Sequence, residues 1–295
     1  MRIAITGGTG FVGSNTARAL LGAGHEVVLV ARGSRRVAKR DGLTVVRADV
    51  ITGDGLTEAL AGCDAVVHLT AIIREKGRQT FDAVIRRGTE NMLSAARAAG
   101  VAHVVNISAI GADPDPRFPY HYAKWSAEQA VRASGLEFTT LRPSLIFGPG
   151  DGFFTTLRGL VRFSIPAIPV AGDGGALFQP IAVDDVVRCI VIALERGPAM
   201  REIEIGGPEQ LTYDQIIDII HDAIGAGMRI KVHIPVGALM PVAAVMDRLL
   251  PNPPVTPAQL RMLARSNITR IDAVRSAFGF DPIAFSLNAG YLGES

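Results

Sequence analysis

Cysteine is scarce in this chain. Cys63 and Cys189 are the only two in 295 residues. They form no metal-ligand cluster, and so few thiols in so long a chain point to a reducing, cytoplasmic setting. Neither sign of charge is in excess: 30 Lys and Arg face 28 Asp and Glu, for a formal net charge of +2. That balance calls for no nucleic acid as a partner. Long apolar runs are missing as well. The longest, "IPVGALMPVAAVM", has 13 residues and contains Pro241, whereas a spanning helix needs roughly 20; a soluble chain without a transmembrane segment is expected. The first apolar segment, "RIAIT", runs straight into glycines, which marks a strand feeding a turn rather than a signal peptide. Internal repeats and low-complexity tracts are also absent.

What is present is a hydrophobic fraction of 48%, enough for a large core, and a regular alternation of elements. Strands are expected at "RIAIT" (2–6), "EVVLVA" (26–31), "LTVVRA" (43–48), "DAVVHLT" (64–70), "HVVNIS" (103–108) and "EFTTLRP" (137–143). Several are apolar for four residues in a row, the pattern of parallel strands covered on both faces. Between them "GSNTARALLGAG", "DGLTEALAG" and "TENMLSAARAAG" read as helices, two of them stopped by Ala-Gly. The alternation predicts an α/β fold with a doubly wound parallel Rossmann sheet. The second half is less regular. Residues 147–181 read as an irregular Gly- and Pro-rich excursion. "VDDVVRCIVIALERG" then reads as a helix, "REIEIGG" as a strand, "LTYDQIIDIIHDAIGAG" as a helix capped by Thr212, and "MRIKVHIP" as a strand. The tail from Val236 is mostly helical. The expected division is a cofactor domain of residues 1–146 and 181–207, with a small substrate or cap domain of 147–180 and 208–295.

"ITGGTGFVGS" sets Gly7, Gly10 and Gly13 between a strand and a helix. The first glycine makes the tight turn, the second admits a pyrophosphate to the backbone, and the third lets helix and strand pack closely. Phe11 and Val12 open the helix whose N-terminus favours the phosphates. An acidic residue is lacking where the second strand ends, in "VVLVARGSRR". There a carboxylate would take the ribose 2′-OH of NAD. Arg32, Arg35 and Arg36 stand there instead, and planar guanidinium forks suit a 2′-phosphate. NADP(H) is therefore the preferred cofactor and NAD(H) the second choice. Asp49, with Val50 behind it, closes the third strand as an adenine acceptor or a cap. Leu69, Thr70 and Ala71 close the fourth strand, where a ligand would lie along the sheet edge. His68 reads as a satisfied core histidine.

"FPYHYAKWSAE" holds two tyrosines ahead of Lys124. The segment after Pro119 is predicted helical through Ala133, so Tyr120 and Lys124, four apart, share a face, and Tyr122 does not. A neighbouring ammonium lowers a phenol's pKa from its usual value near 10, which would make Tyr120 a general acid or base. Ser108, at the end of the fifth strand, could bind the substrate oxygen.

With "TGGTGFVG", "RADV", "GTENMLSAARAAGV", "VVNISAIGA", "YHYAK" and "LRPSLIFGPGD" in place, the chain resembles an extended or atypical short-chain dehydrogenase/reductase of the epimerase/dehydratase type. "LFQPIAVDDVV" and "PNPPVTPAQLRMLARSNI" resemble more closely the branch of the nucleotide-binding accessory subunit of respiratory complex I and its bacterial relatives. The resemblance implies that Tyr120 is the proton donor, that Lys124 holds the nicotinamide ribose, and that Pro143 and Ser144 flank the nicotinamide. Three features depart from the family's sugar-nucleotide enzymes: Ser108 is followed by Ala109 rather than a second hydroxyl, Ile85 stands in place of an asparagine, and the tail is apolar. These weigh against catalysis, most of all on sugar nucleotides, and leave cofactor binding untouched. Three functions follow: an NADP-dependent oxidoreductase acting on an apolar carbonyl substrate, a non-catalytic NADPH-binding module associated with a respiratory complex or a membrane surface, and a nucleotide-sugar epimerase or dehydratase. Substrate identity and oligomeric state are not legible in the sequence.

Overall fold

The computed structural model describes residues 1–33, 40–227, 229–250, 255–263 and 265–293. Its strands β1 (Arg2–Thr6), β2 (Glu26–Ala31), β3 (Leu43–Arg47), β4 (Ala65–His68), β5 (His103–Ile107) and β6 (Glu137–Pro143) lie where the apolar runs predict them. With Arg201–Ile205 they form a seven-stranded sheet, ordered 201–205, β6, β5, β4, β1, β2, β3. β1 to β6 pair in parallel throughout. Chain order reverses between β1 and β4, and the carboxyl ends at such a switch point form the ligand crevice of an open α/β sheet.

The continuous apolar runs follow from burial on both faces. Ala4, Val28, Val66, Val104 and Phe138 share one core with residues of the helices α2 (Leu56–Leu60), α3 (Gly88–Ala98) and α4 (Pro119–Ala133). Their alternates Ile3, Ile5, Val27, Leu29, Val67 and Val105 are buried too. Helix α1 (Phe11–Gly22) packs against Val183–Arg196. Gly24 and Gly100, at φ 80° and 73°, turn the chain out of α1 and α3, a left-handed stop that glycine adopts without strain. Pro119 opens α4 at its first turn, where the missing N–H costs nothing.

The chain divides into two compact units, Met1–Pro143 with Val183–Glu204 and Ser144–Ala182 with Ile205–Ser295. The second has its own core, in which Phe154 and Phe285 lie 4.6 Å apart between ring centroids, among Phe147, Ile216, Ile217 and Ile220. Helix Tyr213–Ala223 opens on a capping box: Gln215 N donates to Thr212 Oγ1, and Gln215 Oε1 accepts from Thr212 N.

The stretch 147–181 is not the irregular excursion expected. It contains helix Phe153–Phe163 and strand Ala167–Ala171, which pairs in parallel with Ile230–Ile234. Its glycines and prolines sit mainly at element boundaries, and Asp151 starts the helix by accepting from Phe154 N at 2.7 Å and Thr155 N at 3.2 Å. A π-helical turn, Asp82–Arg87, precedes α3 and was not foreseen. Among the described residues no helix is long and apolar enough to cross a membrane, and no group of three or more His, Cys, Asp or Glu could hold a metal ion.

Candidate nucleotide and carbonyl site

Thr6 ends β1 and Gly7, at φ 71°, turns the chain. A Cβ on Gly7 would lie 3.0 Å from the Leu69 carbonyl carbon and the Thr70 nitrogen, so this turn lies against the end of β4. Gly10 N donates to Gly7 O at 3.0 Å, and Gly10 is the N-cap of α1 with no side-chain cap. The first-turn N–H groups, from Phe11 and Val12 onward, are those that no helix satisfies internally, and they favour an anion. A Cβ on Gly13 would lie 2.3 Å from Gly7 O and 2.6 Å from Gly8 Cα; only glycine lets α1 approach so closely. At Gly8 a Cβ would meet Leu29 Cδ2 at 2.3 Å, the end of a side chain that can shift, and Ile5 O at 3.3 Å, so that position is less strictly glycine than Gly13. The cradle thus fits a dinucleotide pyrophosphate. Gly13→Ala should cost about 1–3 kcal/mol as an overpacked contact. We expect a lower thermal midpoint, with dinucleotide affinity lost by calorimetry because the helix end is displaced.

Arg32 follows β2 and is exposed; Arg35 and Arg36 lie outside the described residues. Asp49 Oδ1 accepts from Ile51 N at 2.9 Å, so the carboxylate caps its own turn. Val50 is buried, and its carbonyl accepts from Asn91 Nδ2. Leu69 and Thr70 are half-buried, and Ala71 is exposed.

Helix α4 brings Tyr120 and Lys124 to one face. Lys124 is buried, and its ammonium donates to Ile107 O at the end of β5, at 2.7 Å. Burial pulls it down to about 8, against the pull of the Glu128 carboxylate one turn further along. Tyr120 is half-buried, edge-on to Phe81 and His121 at centroid distances of 5.7 and 5.4 Å. Its phenol is not lowered by Lys124 as expected. Burial pushes it up to about 12. One of the ammonium's N–H groups goes to this backbone carbonyl, and no hydrogen bond joins it to Tyr120 among the described residues.

A narrow cleft beside Lys124 is lined by His68, Thr70, Ile85, Thr89, Asn106, Ile107, Ser108 and Ala127. Ser108 is 4% exposed, and its Oγ has no hydrogen-bond partner among the described residues. Orphaned buried hydroxyls are uncommon and call for a missing partner. Thr6, His68, Asn106 and Thr140 are aligned in register across β1, β4, β5 and β6. The bonds of this row fix the histidine's tautomer. Thr89 Oγ1 donates to Ile85 O, so it accepts from His68 Nε2, and His68 Nδ1 accepts from Thr6 Oγ1 at 2.7 Å. Burial, with Lys124 adding repulsion, takes the imidazole down to about 3 and keeps it neutral. Thr89 and Asn106 were not anticipated as cleft residues; their one sequence signal is polarity in otherwise apolar surroundings. Ile85 puts an apolar side chain on the cleft and offers its backbone carbonyl to Thr89.

Pro143 closes β6, and its carbonyl accepts from Ile110 N. Ser144 belongs to the second unit, where its hydroxyl donates to Asn267 O at 2.9 Å.

A family profile described as "NAD dependent epimerase/dehydratase family" matches residues 3–206. The chain belongs to that family. Within it, the chain is 27% identical over 317 residues to the 2-alkyl-3-oxoalkanoate reductase of Stenotrophomonas maltophilia (strain K279a), covering 96% of this chain and 95% of that one. It is 28% identical over 247 residues to subunit 9 of the NADH dehydrogenase [ubiquinone] 1 alpha subcomplex, mitochondrial, of Arabidopsis thaliana, covering 80% of this chain and 61% of that one. The expected likeness to a complex I subunit is thus present. The fold is shared with DesIV, a dTDP-glucose 4,6-dehydratase from Streptomyces venezuelae crystallised with NAD and TYD. The TM-score is 0.76 at 23% identity, covering 100% of this chain and 96% of that one.

Proposed function

We propose that the protein is an NADP(H)-dependent reductase of an apolar carbonyl compound, of the 2-alkyl-3-oxoalkanoate class that names its Stenotrophomonas relative. The buried, unpartnered Ser108 Oγ beside Lys124 carries this reading. A carbonyl oxygen arriving in the cleft would give that hydroxyl the acceptor it lacks. Bound NADPH supplies the hydride for the carbonyl carbon. Tyr120 then provides the proton for the oxygen. With its phenol at about 12 it is protonated at neutral pH, the state a donor needs. Lys124 holds the nicotinamide ribose and stabilises the phenolate that proton donation leaves behind. Gly7, Gly10 and Gly13 hold the pyrophosphate, Arg32 favours the 2′-phosphate, and Asp49, Val50, Leu69, Thr70 and Ala71 border the adenine and the crevice. Two free, buried cysteines suit a reducing compartment.

The test is loss of NADPH absorbance with 2-alkyl-3-oxoalkanoates of increasing chain length, against NADH and against sugar nucleotides. Turnover should fall as pH rises through about 8. Lys124 is charged below that value and neutral above it, and a neutral amine neither holds phenolate nor grips the ribose well. Tyr120 stays protonated throughout this window. A pH–rate profile flat from about 7 to about 9, on either side of the lysine's value of about 8, would remove that residue from its assigned role.

Ile85 and Ala109 favour a second reading. The cleft lacks the family's extra polar groups, and an NADPH-binding module that stabilises a respiratory assembly needs none. Tight NADPH binding with no turnover of any carbonyl, quinone or sugar nucleotide would support it.

A further inference from the structure

We infer that Arg47, at the end of β3, forms with Arg32 a two-sided clamp that selects the 2′-phosphate of NADP(H). β2 and β3 run in parallel with Ala31 opposite Arg47, so the last residue of β3 stands level with the end of β2. Two residues on, Gly33 turns at φ 95°, and a Cβ there would lie 3.4 Å from Arg47 Cδ and 3.6 Å from its Cγ and Nε. The arginine side chain therefore lies over the backbone of the β2 loop, one residue from Arg32. Both arginines are exposed. Neither guanidinium makes a hydrogen bond or ion pair with a described residue.

The acidic residues along β2 and β3 do not compete for this spot. Glu26 and Asp41 lie at the amino ends of the strands, five or six residues away and roughly 16–20 Å at about 3.3 Å per residue. Asp49, two residues past Arg47, turns one carboxylate oxygen to Ile51 N. The end of β2 thus presents two guanidinium groups, and no acidic residue stands between Arg32 and Arg40 to receive a ribose 2′-OH. Planar forks without partners are the chemistry that a phosphate monoester satisfies.

This inference rests on the NADP(H) reading above, and one titration separates the two. NADPH and NADH affinities are measured by calorimetry on wild type, Arg47→Ala, Arg47→Glu and Arg32→Ala. Wild type should prefer NADPH; a preference for NADH overturns the underlying cofactor assignment. Given that preference, Arg47→Ala should weaken NADPH by roughly 10- to 150-fold, the equivalent of one charge-assisted hydrogen bond, and leave NADH unchanged, which also shows the fold intact. Arg47→Glu should reverse the preference. An equal loss for both cofactors would mean that Arg47 stacks on the adenine, and an unchanged NADPH affinity would mean a solvated surface arginine; either result overturns the clamp.

Discussion

Tyr120→Phe should reduce turnover by roughly 100- to 10,000-fold, the usual contribution of a positioned general acid, while NADPH affinity stays almost unchanged. The two quantities separate because the proposed function assigns proton transfer to the phenol and the pyrophosphate grip to the glycine turn. Lys124→Ala should damage both, since the ammonium is assigned to ribose and phenolate alike. Tyr122→Phe should do little. It is 38% exposed and lies against Trp125 at a centroid distance of 5.8 Å, away from the cleft. Single-turnover NADPH oxidation and calorimetric affinity on the three variants decide the matter. If Tyr122→Phe abolishes turnover and Tyr120→Phe does not, the assignment by helical face is wrong. If wild type binds NADPH tightly and turns over nothing, Tyr120 is a contact residue in a binding module.

The sheet was legible because its signal is local. β1, β2 and β6 begin and end where the apolar runs do, and α4 spans Pro119–Ala133 as the proline and the apolar spacing require. The glycine turn was legible for the same reason: its geometry depends on residues within one βα connection. What was hidden depends on partners far along the chain. Lys124 bonds a carbonyl 17 residues earlier, and His68 sits between Thr6 and Thr89, 62 and 21 residues away. The direction of the Tyr120 shift went wrong for this reason. Spacing alone suggested a nearby ammonium, but the pKa is set by burial, a property of the assembled core. The same holds for Arg47, an ordinary strand residue in the sequence and a neighbour of Gly33 only once β3 lies beside β2.

Arg142→Ala should lower stability more than Glu128→Ala, although the two residues form one ion pair. Arg142 Nε and Nη2 donate to the two Glu128 oxygens at 2.8 and 2.6 Å. The glutamate side chain is 0% exposed and the arginine 22%. Removing the arginine leaves a carboxylate in the core without its partner, a loss of about 3–5 kcal/mol for a broken buried pair. Removing the glutamate leaves an arginine that still reaches solvent and has Glu204 at 3.8 Å, so the cost should sit at or below the low end of that range. Denaturant unfolding of both variants measures the difference. Replacing the pair together, as Glu128→Leu with Arg142→Met, should recover most of the loss, because well-packed apolar groups of similar volume substitute for buried ion pairs at little cost. The double variant should nevertheless differ in one respect. Glu128 favours the charged form of Lys124 from one turn away on α4, so its removal should move the alkaline limb of NADPH binding to lower pH. Recovered stability with an unmoved limb would mean that the pair holds β6 to α4 and does nothing for the lysine.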